Sequence, residues 1–112
     1  MKYTELYSHD GLSYFKEVEI KPAEKEALGF YSQPYTIRDI VFRESDANDC
    51  FDWHAAPRAQ YIVYLSGEVE IQASGGETKL FTAGDILLAN DTQGKGHITK
   101  VLKKSMAVIL RK

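Results

Sequence analysis

Apolar and polar residues alternate with period two through much of the chain. Val18-Glu19-Ile20-Lys21 and Glu68-Val69-Glu70-Ile71-Gln72 read as strands with one buried face. Residues 37–42, 61–65, 86–89 and 106–110 are apolar on both faces, which predicts strands covered on both sides, in a sandwich or a barrel. Turn signals separate them: Ser66-Gly67, Ser74-Gly75-Gly76, Ala83-Gly84-Asp85 and Gly94-Lys95-Gly96. The pattern predicts nine strands, near 12–20, 28–32, 35–43, 50–54, 59–66, 68–73, 77–81, 85–89 and 97–111. The last is expected to break near Lys103-Lys104. Only 22–28 carries helix-forming residues, with Pro22 at a first-turn position and Gly29 beyond; a charged loop is the alternative. Short strands, glycine turns and no alternating helices predict an all-β fold.

Composition narrows the function classes. The chain has 112 residues, 44% hydrophobic and 27% charged, which suits one globular domain with a real core. A net charge of −2 offers no basic stripe, so nucleic acid is not an expected partner. The longest uncharged apolar stretch, 106–110, is too short for a membrane helix. The start, MKYTELYSHD, lacks the apolar core of a signal peptide, and Cys50 is the only cysteine. No intrachain disulfide can form, and a cytoplasmic location is expected. Cys50 reads as a buried apolar residue, and most of the thirteen aromatics as core.

Candidate chemistry lies between Asp52 and Thr99. His54 and Gln60 are six apart; Gln60, Ile62 and Tyr64 share one strand face; His97 opens a later strand after a glycine-bounded loop. Brought together, two imidazoles and an amide could form a three-donor metal site with open positions. The alternative is that each histidine is a hydrogen-bonded core or rim residue. Asp52, two before His54, could add a carboxylate on the same face or be a solvated strand end. Nucleophile-elbow, Walker and Rossmann glycine patterns are absent. Cys50 and His54, four apart on a strand, lie some 13 Å from each other and cannot pair without a bend.

These residues give the chain a resemblance to the cupin superfamily. Its first motif runs G-x5-H-x-H-x3,4-E-x6-G; here stand His54-Ala55-Ala56, Gln60 and Gly67. Its second runs G-x5-P-x-G-x2-H-x3-N; here stand Gly84-Asp85, Asn90 in place of Pro, a loop two residues longer, His97, and Val101 in place of Asn. YIVYLSGEVEI (61–71) followed by FTAGDI (81–86) adds to the likeness. The resemblance implies a single-domain, double-stranded β-helix (jelly-roll) barrel over 1–112, with motif one at about 52–67 and motif two at about 84–101. It implies a ligand in the barrel interior and, often, a homodimer.

The departures from the motifs shape the functional expectation. Ala56 replaces a metal-binding histidine and Gln60 the glutamate, so His54, Gln60 and His97 remain as the metal ligands, all neutral. Any ion held there is expected to be a transition metal, Zn, Ni, Fe or Mn, and weakly bound. The primary expectation is a small-molecule-binding cupin with a depleted metal site. The alternatives are a metal-dependent enzyme (an oxygenase, isomerase or decarboxylase acting on a small oxygenated substrate) and a non-catalytic sensory or interaction module. Ligand-binding candidates are His54, Gln60, Tyr64 and His97, with Lys95 and Arg58 at the mouth for an anionic ligand and Met106 and Val108 as floor. Tyr3, Leu6, Tyr7, Leu12, Tyr14 and Phe15 make the N-terminal segment apolar enough to be swapped or packed across a two-fold axis.

Overall fold

A computed structural model describes residues 1–112. It contains ten strands and no helix. They are β1 (Lys2–His9), β2 (Leu12–Glu19), β3 (Pro22–Glu26), β4 (Gly29–Ser32) and β5 (Asp39–Ser45), then β6 (Cys50–His54), β7 (Gln60–Ala73), β8 (Thr78–Thr82), β9 (Ile86–Asn90) and β10 (His97–Arg111). No helix is long and apolar enough to cross a membrane.

Two long strands carry the architecture. The N-terminal half of β7 and the C-terminal half of β10 belong to one layer, ordered β2-β1-β9-β7-β10-β5. Their other halves run on into a second layer, where β8 flanks β7 and β6 flanks β10. The bend falls at Gly67, whose φ of +80° places its α-carbon against the Lys103 and Lys104 carbonyls, where a side chain would collide. Opposite Gly67, β10 slips register between Val101 and Ala107. The expected break near Lys103-Lys104 is thus a run of bulges in one continuous strand.

The layers face each other across the core. Val41, Ile109, Ile62 and Leu87 form one inward row of the first layer. Val69, Ile71, Phe81 and Val101 face them from the second, and all but the half-buried Val41 are buried. Phe15 of β2 meets Phe81 of β8 at 6.2 Å between ring centres. The Glu17 carboxylate ties the same strands through Lys79 at 2.8 Å.

Two expectations need correction, one on the 22–28 stretch and one on the floor of the interior. Residues 22–28 are not helical: β3 pairs with β4 in a separate hairpin. A helix so short is marginal in water unless it buries an apolar face, and every residue from Lys21 to Leu28 is exposed. The N-terminal segment pairs within its own chain, β1 running antiparallel to β2 and parallel to β9. Met106 and Val108 do not floor the interior. The bulges in β10 put Ala107 and Ile109 inside, and Met106 is 43% exposed.

Of the strands expected to be covered on both faces, β9 and the start of β7 are, with Leu88 and Tyr61 buried on the outer side as well, whereas β5 and the later part of β10 are open there. On the outer face of the first layer, Phe42, Val108, Val63, Ile86 and Tyr3 lie in one cross-strand row, and Ile40, Leu110 and Tyr61 in the next. Phe42 is 79% exposed and Ile40 50%. Between this face and the β3–β4 hairpin runs an apolar groove of about 570 Å³. The outer face of the second layer is polar instead, with Glu68 paired to Lys103 at 3.2 Å.

Candidate functional site

Between the layers lies a smaller cavity of about 270 Å³, and the polar chemistry gathers there. Strand alternation on β7 turns Gln60, Ile62 and Tyr64 into it, while Tyr61 and Val63 line the outer groove. β6 and β10 pair at His54 and His97, bringing both imidazoles to the cavity wall with ring centres 4.4 Å apart. His54, Gln60, Tyr64 and His97 therefore share one enclosure. Ala56, where the motif has a second histidine, also lines it.

Each imidazole is tied back by Nδ1. His54 Nδ1 donates to the Asp52 carbonyl at 2.7 Å, and the ring stacks on Phe51 at 3.7 Å between centres. His97 Nδ1 donates to Asp91 Oδ2 at 2.7 Å; the same oxygen accepts the Ser13 hydroxyl at 2.7 Å. Asp91 is fully buried and His97 only 5% exposed, so this chain from β2 to β10 is sealed from water. In both rings Nε2 remains as the free nitrogen, the arrangement that orients histidines toward a ligand or metal. Burial and the neighbouring His97 hold the His54 pKa below its ordinary 6.5.

The motif-two loop is pinned to its surroundings by backbone bonds. Ala56 N–H donates to the Asp91 carbonyl at 2.9 Å, Lys95 N–H to Gly11 O at 3.0 Å, and Ser74 N–H to Gly96 O at 3.0 Å. Gly96 has φ +77° and lies against the His54 backbone. Its freedom serves contact with the chain itself.

The remaining candidates sit elsewhere. Lys95 does not line the cavity; its ammonium lies over the exposed Trp53 ring, 4.3 Å from the centre. Arg58 does not line it either, and its charge acts on Asp39, which pairs with Arg111 at 2.6 Å. Asp52 is exposed and outside the cavity. Between His97 and Thr99, two residues apart, β6 passes from His54 to Phe51, three apart, and this extra residue breaks the alternation that would have turned Asp52 inward. Cys50 is a free, exposed thiol at the cavity edge, not a core residue.

Sequence reasoning missed Arg43 and Asp91. Arg43 reads as an ordinary outward charge on a strand, yet it faces the cavity. Asp91 reads as a loop residue beside Thr92, and only the approach of β2 makes it the buried partner of Ser13 and His97.

The donors that converge are few and carry no carboxylate among them. The cavity presents two imidazoles and one amide, and nowhere do three His, Cys, Asp or Glu side chains converge to hold an ion. The one buried carboxylate, Asp91, lies behind His97 as its hydrogen-bond partner.

No family model matches the chain, and no curated protein matches it in sequence. Solved structures do. A conserved protein of unknown function from Streptococcus pyogenes matches at TM-score 0.51 and 18% identity, over 72% of this chain and 70% of that one. A protein from Neisseria meningitidis matches at TM-score 0.52 and 10% identity, over 100% and 88%. An RmlC-like cupin protein from Desulfovibrio desulfuricans subsp. matches at TM-score 0.49 and 15% identity, over 96% and 78%. At these identities the likeness is one of fold alone. The fold is all-β. The strands that carry the two histidines, β6 and β10, pair at those residues.

Proposed function

We propose that this cupin-like domain binds a small organic molecule in the cavity between its layers. The observation that carries the reading is the convergence of His54, Gln60, Tyr64 and His97 on one 270 Å³ enclosure. That volume falls just below the ~300–1,000 Å³ usual for ligand pockets, which suits a compact ligand. Buried polar groups in an apolar interior are unfavourable unless something satisfies them, and the Tyr64 hydroxyl has no partner. The larger outer groove is lined almost wholly by apolar side chains and has no such chemistry.

The test is a screen of small polar compounds against isotopically labelled protein, read by amide chemical shifts. The reading expects binders that perturb Gln60, Tyr64 and His97. Binders perturbing only Tyr3, Tyr61 and Val63 in the outer groove would overturn it.

A metal-dependent enzyme is the alternative, favoured by the two histidines with free Nε2 atoms. Elemental analysis of untagged protein separates the two: a transition ion near one per chain supports the enzyme, a trace amount the binder. A metal there would supply Lewis-acid or redox chemistry, with His54, Gln60 and His97 as its protein ligands.

The same reading extends to the assembly and its surroundings. We place a second copy of the chain on the outer face of the first layer. Its strands carry the two-sided apolar pattern of covered strands, and Phe42, Ile40 and Met106 stand open there. A single exposed thiol, Cys50, fits a reducing, cytoplasmic setting.

A further inference from the structure

The cavity has a second polar end that neither motif marks. Arg43 on β5, Ala107 on β10 and Tyr64 on β7 stand side by side across three strands. Arg43 and Tyr64 both line the cavity. Neighbouring strands lie about 4.8 Å apart, so roughly 10 Å separates the Arg43 and Tyr64 backbones. The intervening Ala107, with only a methyl group, leaves that interval open for the guanidinium.

Two groups there lack a well-formed partner. Tyr64 is 1% exposed, and its hydroxyl makes no hydrogen bond. Burial pushes its pKa up to about 12, although the Arg43 guanidinium, through its charge and a loose polar contact with the hydroxyl, draws it partly back, so the hydroxyl stays a neutral donor. Arg43 takes part in none of the chain's ion pairs and none of its side-chain hydrogen bonds. The only carboxylate lining the cavity, Asp49, instead accepts the Asp46 N–H at 2.8 Å. A half-buried guanidinium with no carboxylate paired to it, whose polar neighbour is only a buried hydroxyl, is unfavourable unless an anionic acceptor arrives.

We infer that this end of the cavity receives the carboxylate of a small organic acid, held by Arg43 with Tyr64 Oη as a further donor. The inference rests on the small-molecule reading above and names the ligand class for that same cavity. A planar carboxylate matches the guanidinium fork with two parallel bonds. A second negative charge, as on a phosphate, would find no second cation, because the other lining groups are neutral or, at Asp49, negative. Across the cavity the free Nε2 atoms of His54 and His97 accept hydrogen bonds, so the far end of the acid carries a hydroxyl or amide donor. The cation for an anionic ligand is thus Arg43, neither Lys95 nor Arg58.

The experiment compares benzoate with benzamide, which share a shape and differ in charge, by calorimetry and chemical shifts on the full chain. Benzoate is expected to bind roughly tenfold more tightly than benzamide, the worth of a charged hydrogen-bond pair, and to shift Tyr64 and Ala107. Arg43→Gln should remove that preference by weakening benzoate far more than benzamide, while Arg43→Lys keeps part of it. The melting temperature of Arg43→Gln should equal or exceed that of the parent, since an unpaired cation has gone. Tyr64→Phe should weaken benzoate alone. Equal affinities for the two probes at the cavity, or benzoate binding unchanged in both Arg43 variants, would overturn the carboxylate site while leaving the small-molecule reading intact. If neither probe shifted Gln60, Tyr64 or His97, both would fall.

Discussion

Substituting Gly96 by alanine probes how the chain holds its two histidines. Gly96 has φ +77°, and an added methyl would overlap the His54 carbonyl and come within 2.6 Å of Ala55 N. Left-handed backbone by itself costs an alanine about 1–2 kcal/mol, offset by some 0.4–1 kcal/mol from a less flexible unfolded chain. Gly84 isolates that part: φ is +92° and nothing lies within 4 Å of its added methyl. Gly84→Ala should therefore lose about 1 kcal/mol or less. Gly96→Ala adds an overlap with backbone, which cannot rotate away as a side chain can. Overpacking of this kind costs a further ~1–3 kcal/mol, giving a total of about 2–4 kcal/mol. For 112 residues the unfolding entropy is about 0.24 kcal/mol/K, so each kcal/mol lowers Tm by about 4 °C. Urea denaturation gives the free energies and thermal scans the Tm shifts, expected near 4 °C or less for Gly84→Ala and about 8–16 °C for Gly96→Ala. The ring protons of His54 and His97 should shift only in Gly96→Ala. Losses equal within about 0.5 kcal/mol, the usual scatter for independent sites, would refute the close approach.

Other expectations follow from the same geometry. Ala56→His should raise zinc affinity at least about tenfold by calorimetry, because Ala56 lines the cavity beside His54; equal, negligible heats for both proteins would mean that the donors never share an ion. Ser13→Ala should cost about 1–2 kcal/mol in urea unfolding, since it strips a buried bond from Asp91, whose other oxygen already lacks a partner; an unchanged midpoint would speak against the sealed chain. Hydrogen bonds from Lys79 and Thr4 lower the Glu17 pKa from 4.5 to about 2, so the unfolded chain binds the extra proton between those values. Its stabilisation is present above pH 4.5 and lost as pH falls toward 2; with Glu17 largely solvated the effect is under about 1 kcal/mol, and Glu17→Gln should remove it from the acid-unfolding curve. Sedimentation should report about twice the 12.7 kDa chain mass, and Phe42→Lys, at a site 79% exposed, should halve it without lowering monomer stability; a parent protein that sediments as a monomer would remove the second copy from the outer face.

Local alternation was enough to specify much of this molecule. Side chains on a strand point alternately to opposite faces whatever the rest of the chain does, so Gln60, Ile62 and Tyr64 were assigned to one face from spacing alone. Spacing alone did not bring His54 and His97 together; the family resemblance suggested it, and the two stand on paired strands. Four features required the tertiary structure. The β6 bulge excludes Asp52, and the β10 bulges exchange Met106 and Val108 for Ala107 and Ile109, because one extra residue inverts every later side chain. The 22–28 stretch has helix-forming residues but no apolar face to bury, and pairing with 29–32 prevails over propensity. Aromatic residues do not announce which side of a sheet will be covered, which is why Phe42 and Trp53, expected in the core, lie open. Arg43 and Asp91 meet their surroundings only through strands distant in sequence, β7 for one and β2 for the other. Periodicity records which face a residue takes; what waits on that face is decided by how the sheet folds over itself.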